Sequence, residues 1–414
     1  VCPYNAPQLD PVEGQVSKCN MCVDRLEVGL KPACVSACLG NALDFGVVEN
    51  IPENRTQAKT EIPGFPRADI TQPNIRFQQT RTTQRDMHRV DNTTLKYHKD
   101  ENTGSFTPQV EVRQTYETEW NWKQLFSSHE NAHIVFTLMT QMVIGAFLIM
   151  LGSLHSSASI QNTLENPTTV IALLIMWLSQ AFGLFKLNMH LGKPHRFYRG
   201  FYNLRLSPVS REIAGISLFF AGLTGTLLLT VVSFPSSWIL LTASVIIAIT
   251  GALLGGYFMY KLYRIEARPF WNHWHTGSSF LSSAIVLGSL LLAFIMMTTD
   301  RMTTETHDLL LLLLLAGLLL EITGLVFHSR DLKSAPNEGA VSFHEQLSTY
   351  GNTYWLRNAL LVASLGLVTA MLAGYVSGLA GWIALAGMAV LTYAISRALF
   401  FVLVIPTTMP GAFF

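Results

Sequence analysis

From residue 133 onward the chain alternates between apolar runs of about 20 residues and shorter polar connections. A helical run of that length spans the hydrocarbon core of a bilayer. Eight such runs occur, at 133–154, 168–188, 212–233, 238–260, 276–298, 308–327, 355–375 and 382–404. Eight in succession exclude the buried helices of a soluble domain, which would also need polar faces. The pattern predicts a mostly α membrane protein, an eight-transmembrane-helix bundle over residues 129–414. Residues 51–128 are polar, with prolines at 52, 63, 66, 73 and 108. So few apolar side chains do not offset the entropy of ordering, and this stretch reads as an extended tail and linker. Residues 1–50 form a separate, cysteine-bearing head.

Composition sharpens the split. Charged residues make up 13% of the chain, about half the share in a soluble domain, and the net charge is +1. No basic face is available for nucleic acid. Loop charge is uneven: Lys186, Lys193, Arg196, Arg199, Arg205 and Arg211 lie between helices two and three, Lys261, Arg264 and Arg268 between four and five, and Arg330 and Lys333 between six and seven. The opposite loops hold Arg301. An even helix count puts both termini on the side of the basic loops, which the positive-inside rule assigns to the cytoplasmic face of the cell (inner) membrane.

Four of the five cysteines fall in the pattern Cys19-x2-Cys22-x11-Cys34-x3-Cys38, with Cys2-Pro3 upstream. Such spacings serve a cubane iron–sulfur cluster, a tetrahedral zinc site or disulfides. The cluster fits best. Bacterial ferredoxin modules end in a cysteine followed by proline that ligates the neighbouring cluster, and Cys2-Pro3 has that form. Cys34-x3-Cys38 has the form of a second run, although Leu39 stands where proline is usual.

The head resembles the C-terminal part of the dimethyl sulfoxide reductase iron–sulfur subunit. The likeness is carried by Cys2-Pro3-Tyr4, Ala6-Pro7-Gln8, Lys18-Cys19-x2-Cys22, Asp24-Arg25, Lys31-Pro32-x-Cys34-x3-Cys38 and Ala42-Leu43-Asp44-Phe45-Gly46. The resemblance implies a ferredoxin-like domain with [4Fe–4S] clusters. Cys19, Cys22 and Cys34 would serve one cluster, and Cys2 and Cys38 would complete others whose remaining ligands belong to an N-terminal remainder of the subunit. Pro66, Thr71-x-Pro73-Asn74 and Ile75 resemble that family's tail, which lies against a molybdopterin-bearing catalytic subunit.

A second motif lies after helix two: His190-Leu191-Gly192-Lys193-Pro194-His195-Arg196, then Asn203-Leu204, Ser207 and Ser210-Arg211-Glu212-Ile213. With Phe219-Phe220-Ala221, the Tyr263-to-Trp274 loop and Arg397-x2-Phe400-Phe401, it resembles the dimethyl sulfoxide reductase and polysulfide-reductase type of membrane anchor. The resemblance covers the sequence as two families in tandem, joined near residue 115. It implies a menaquinol site at His190, Gly192, Arg196 and Glu212. It also implies a role in anaerobic respiration, passing electrons to a catalytic subunit that holds the terminal substrate site. Twin-arginine signals on catalytic subunits of this family would put the head on the periplasmic side instead.

Ionisable residues inside a bilayer are costly and usually functional. Glu321, late in helix six, and Arg397, late in helix eight, fit that description. Lys186 and Arg357, at helix ends, read as snorkelling side chains. Glu130, His133, His273 and His275 enter their helices on the same side. The expected catalytic residues are therefore His190 and Glu212 as bases, Arg196 as donor to a ring oxygen and Glu321 as a further proton-handling group, with His190, Gly192, Arg196, Glu212 and Arg397 binding the quinol. The same residues would serve an enzyme run in reverse, reducing quinone. A transporter is disfavoured by the lack of paired broken helices, and a passive anchor would not need Glu321 and Arg397.

The loop arithmetic gives a topology test. Single cysteines placed near Arg199, Arg264 and Lys333 are expected to label from one face of the membrane, and one in the 234–237 turn from the other. Labelling of the Arg199 and Arg264 loops from opposite faces would break the eight-helix count.

Overall fold

The computed structural model describes residues 7–10, 15–37, 45, 86–88, 95–99, 106–110, 120–126, 130–156, 166–189, 191, 194–205, 207–232, 237–266, 268–335 and 337–405. The chain divides into two compact units, one of Val1–Arg113, Pro336–Val341 and Pro406–Phe414, the other of Gln114–Ala335 and Ser342–Ile405.

In the first unit, β1 (Gln8–Asp10) and β2 (Gln15–Ser17) pair antiparallel with Leu9 opposite Val16. The chain then passes through Met21 and Cys22, both left-handed at φ 57° and 52°, a conformation uncommon for residues other than glycine. This turn aims the chain into α1 (Val23–Glu27). Arg25 Nε donates to the Lys31 carbonyl at 2.9 Å, tying α1 to the start of α2 (Ala33–Ser36).

The stretch expected to be extended holds more structure than its average polarity implied. β3 (Asp86–His88), β4 (Leu95–Lys99) and β5 (Phe106–Val110) form an antiparallel sheet in that order. Met87, Tyr97 and Pro108 stand in register across it, and Leu95 stands opposite Val110. Alternation over 95–99 supplies a one-sided apolar strand that composition over 78 positions conceals. Tyr97 is buried, and its hydroxyl donates to Glu338 Oε1 at 2.9 Å within the same unit.

The second unit is helical. A short α3 (Trp122–Phe126) precedes the first span, and Asn121 Nδ2 donates to the Thr349 carbonyl at 2.7 Å. The described residues contain eight helices long and apolar enough to cross a membrane. They are α4 (Asn131–Ser156), α5 (Asn166–Met189), α6 (Pro208–Val231), α7 (Ser237–Tyr263), α8 (His275–Thr298), α9 (Thr304–Lys333), α11 (Gly351–Leu372) and α12 (Leu379–Val402). Their ends match the sequence expectation within a few residues, except that α9 continues to Lys333. A further helix, α10 (Gly339–Leu347), occupies the connection after it. Pro208 at the first position of α6 and Ser207, which accepts from the Ser210 amide at 3.3 Å, start that helix sharply. Thr303 does the same for α9.

Packing relies on bare backbone. A methyl group on Gly251 of α7 would fall on the Phe219 amide nitrogen of α6, and one on Gly145 of α4 on the Ala284 carbonyl of α8. Small residues let spanning helices approach where no hydrophobic gain favours association in lipid. The opposite side of α7 presents Trp238, Ile246, Leu253 and Tyr257 outward, as a lipid-facing helix requires.

Gly251→Ala is therefore expected to destabilise the bundle by about 1–3 kcal/mol through overpacking. Gly256→Ala, where the new methyl meets nothing within 4 Å, is expected to be neutral or stabilising by up to about 1 kcal/mol. Thermal unfolding in detergent reads both; equal effects would refute the close α6–α7 contact.

Candidate functional site

α8 carries a polar column on its buried face: His275, Ser278, Ser282, Ser283 and Ser289 are buried, and half-buried Ser279 lies between them. Spacings of three, four and, to Ser289, seven residues keep them on one stripe. Each turn engages a different neighbour. Ser279 Oγ donates to Glu321 Oε1 of α9 at 3.2 Å. Ser282 Oγ donates to the Gly317 carbonyl at 2.8 Å and lies 2.5 Å from the Tyr393 hydroxyl of α12, which must then be the donor between them. Ser283 Oγ donates to Gln141 Oε1 of α4 at 2.5 Å.

Arg397 of α12 closes this network. Its Nη2 donates to Gln141 Oε1 at 2.8 Å and to Ser283 Oγ at 3.3 Å, and its guanidinium lies 4.2 Å from the centre of the Phe280 ring. Gln141 Nε2 reaches Met259 Sδ of α7 at 3.4 Å. Four spans thus meet on one guanidinium and one amide.

Beside it lies a small cleft, open at its mouth, between α8, α9, α11 and α12. Glu321, Arg357, Arg397, His275, His328 and Ser396 are among its lining residues, with Phe270 and Phe400 as aromatic walls. Glu321 Oε2, Arg357 Nη2, Arg397 Nε and Ser396 Oγ are all buried without a hydrogen-bond partner among the described residues. Such orphaned groups are rare in native proteins, and four around one cleft mark it as a place for water or a polar ligand.

The sequence-predicted residues separate into two places. Glu321 and Arg397 share the cleft. Glu321 stands deeper than its place in the 308–327 run implied, because α9 runs on for twelve more residues to Lys333, about 18 Å of helix. Arg357 corrects the snorkelling reading: it is 3% exposed, its Nε bonds Asn358 Oδ1 at 2.9 Å, and its guanidinium lies over Tyr354. Glu212, the fifth residue of α6, is buried outside the cleft, with no hydrogen-bond or ion partner among the described residues. Arg196 is exposed on a 3-10 segment, Pro194–Phe201. Gly200 of that segment lies so close to Ile213 that an added methyl would stand 2.7 Å from its Cδ1, so the segment packs on the turn that bears Glu212. Asn188 Oδ1, at the end of α5, is another buried acceptor lacking a partner among the described residues. His190 and Gly192 lie outside the described residues.

Tyr263 stands between the two places. Its ring packs edge-on against Trp271, Phe280 and Phe400.

In the head, Cys19, Cys22 and Cys34 are free thiols, and Cys19 Sγ accepts the Met21 amide at 3.3 Å. Free thiols on a turn with amide-to-sulfur bonding suit iron–sulfur ligation. Among the described residues no three cysteine, histidine or acidic side chains converge as a metal-holding group, and Cys2 and Cys38 lie outside them.

Among the described residues, eight apolar helices around buried ionisable groups define a multi-pass membrane protein. The protein belongs to the DMSO reductase anchor subunit (DmsC) family, whose profile matches residues 126–403. Residues 1–48 match a 4Fe-4S dicluster domain. The N-terminal region is 42% identical over 74 residues to the B component of the anaerobic dimethyl sulfoxide reductase of Escherichia coli K12, covering 18% of this chain and 36% of that protein. It is 45% identical over 76 residues to the Haemophilus influenzae protein of the same name, with the same coverage. It is 39% identical over 74 residues to the nitrate-inducible formate dehydrogenase iron–sulfur subunit of Escherichia coli K12, covering 17% and 25%. The chain spans about a third of the length of the dimethyl sulfoxide reductase relatives it matches. An iron–sulfur segment and a membrane anchor thus stand in tandem on one polypeptide.

The Gln141 network makes a stability prediction. Gln141→Leu strips Arg397 Nη2 of its shorter bond and is expected to cost about 2–3 kcal/mol. Gln141→Leu with Arg397→Leu is expected to recover most of that loss, since an apolar pair leaves no buried charge unmatched. Thermal unfolding of the two variants checks it; additive losses would refute the pairing.

Proposed function

We propose that this chain is the electron-transfer and membrane-anchor subunit of a molybdopterin oxidoreductase, and that it oxidises menaquinol at the basic-loop end of α5 and α6. The observation that supports the reading is Glu212. A carboxyl buried at the start of a spanning helix with no partner among the described residues is costly, and it is suited to take a proton from a ligand hydroxyl. The exposed aromatic and apolar side chains nearby, Phe182, Phe185, Met189, Phe197 and Tyr198, offer a lipid-side surface for an isoprenoid tail.

Menaquinol becomes menaquinone by losing two electrons and two hydroxyl protons. Glu212 and His190 take the protons, and Arg196 donates to a ring oxygen. Cys19, Cys22 and Cys34, with Cys2 and Cys38, would hold [4Fe–4S] clusters, which supply one-electron transfer when bound. The terminal substrate is reduced on a separate catalytic subunit. Two protons and two electrons leave together, so a base at the ring is as necessary as an electron acceptor.

In the assembled complex, His190→Ala, Arg196→Ala and Glu212→Gln are each expected to lower quinol-dependent turnover by about 100-fold or more, the usual worth of a positioned proton-transfer group. Turnover with an artificial donor that reduces the clusters directly is expected to persist. Full quinol oxidation by an assembled Glu212→Gln complex would overturn the site. Turnover found only as quinone reduction would identify a dehydrogenase.

A further inference from the structure

The cleft around Glu321 connects to a row of three imidazoles that quinol binding at Glu212 does not use. His275 opens α8, His328 lies in the last third of α9, and His273 lies in the loop before α8. The ring centres of His275 and His328 are 5.1 Å apart, and those of His328 and His273 are 5.0 Å apart. His273 Nε2 then meets Asp331 Oδ2 at 2.9 Å, and Asp331 is 57% exposed. The row runs from a buried cleft to water.

Hydrogen bonds assign the tautomers of the neutral rings. His328 Nε2 donates to the Phe270 carbonyl at 2.9 Å, leaving Nδ1 as an acceptor. His273 Nδ1 accepts the His275 amide at 3.0 Å, so its proton sits on Nε2, facing Asp331. Ser278 Oγ donates to the His275 carbonyl at 3.0 Å and can therefore accept from His275 Nδ1 at 3.3 Å, leaving His275 Nε2 as an acceptor. Gly324 makes the crossing possible: a methyl group there would collide with both His275 Nδ1 and Ser278 Oγ. Among the described residues no three histidine, cysteine or acidic side chains converge as a metal-holding group.

We propose that this row and the cleft form a proton passage between Glu321 and the aqueous surface at the loop between α7 and α8. Water in the cleft bridges Glu321 Oε2, Ser396 Oγ and the two free imidazole nitrogens, since ordered water takes two to four polar partners. His275 and His328 take a proton on their free Nε2 and Nδ1. Onward transfer needs the His328 ring to leave the Phe270 carbonyl and His273 Nδ1 to give up the His275 amide, after which His273 gains a proton on Nδ1 and releases the one on Nε2 to Asp331. For each proton that leaves the Glu321 carboxyl, one reaches bulk water through Asp331, and no electron moves. The cations facing the cleft, Arg357 from α11 and Arg397 from α12, offset the carboxylate when it is formed, and the Tyr393 hydroxyl is held by Ser282. The passage goes beyond the quinol reading and does not depend on it.

The test is hydrogen–deuterium exchange of the Glu321 carboxyl in the purified complex. The carbonyl band is followed by infrared difference spectroscopy and assigned by its loss in Glu321→Gln. His328→Gln, which can keep the bond to Phe270, and His275→Leu are each expected to slow exchange by about tenfold or more. Gly324→Ala is expected to slow it as well by displacing His275. Wild-type exchange in His328→Gln, or no Glu321-dependent carbonyl band at any pH, would overturn the passage. So would displacement of a tight-binding quinol analogue by these variants, because the cleft would then hold the quinol ring. Loss of quinol oxidation in Glu212→Gln with unchanged Glu321 exchange would separate the two sites.

Discussion

A guanidinium buried within a bundle of apolar helices must find its partners on neighbouring helices, and Arg397 finds them on Gln141 of α4 and Ser283 of α8. That bond pattern fixes the rotation of α4, α8 and α12 about their axes. The close approach of Gly145 to Ala284 then becomes a requirement, because the short side chains of α4 and α8 cannot meet across a wider gap. Ser282, Tyr393 and Gly317 repeat the arrangement one turn away. The centre of the bundle is held by polar contacts, while α6 and α7 meet each other through close backbone approach at Gly215, Gly222 and Gly251.

That division shapes what each half can do. Around α6, the buried Glu212 sits under an exposed aromatic and basic segment, a geometry for a ligand that arrives from lipid. Around α8, ionisable groups face an internal cleft, a geometry for water and protons. Tyr263 packs among Trp271, Phe280 and Phe400 where the two halves meet. Trp271 Nε1 bonds the Phe400 carbonyl at 2.7 Å, so the loop bearing His273 is pinned where the two halves meet.

The eight spans were legible because length and apolarity alone decide whether a helix can cross a bilayer. Glu321 and Arg397 were legible as ionisable residues within those runs. Arg357 was misread because proximity to a helix end looks the same for a snorkelling and an inward-turned side chain; only the neighbours distinguish them. His328 escaped notice because the apolar run ends at 327 while the helix does not. The serines of α8 gave no signal, since buried hydroxyls so often bond a carbonyl of their own helix, as Thr226 does with Gly222. The sheet over 86–110 was hidden by the polar average around it.

The polar column on α8 stops at Ser289, and the buried face continues with Leu290, Leu292, Ala293, Ile295 and Met296. Electrically, that makes the bundle an asymmetric dielectric. A membrane potential falls mainly across material that cannot polarise, so most of the voltage drops over the dry end of α8. A charge moving between Glu321 and the loop before α8 would cross only a small fraction of the field. Chemistry at the cleft would then be nearly indifferent to how strongly the membrane is energised.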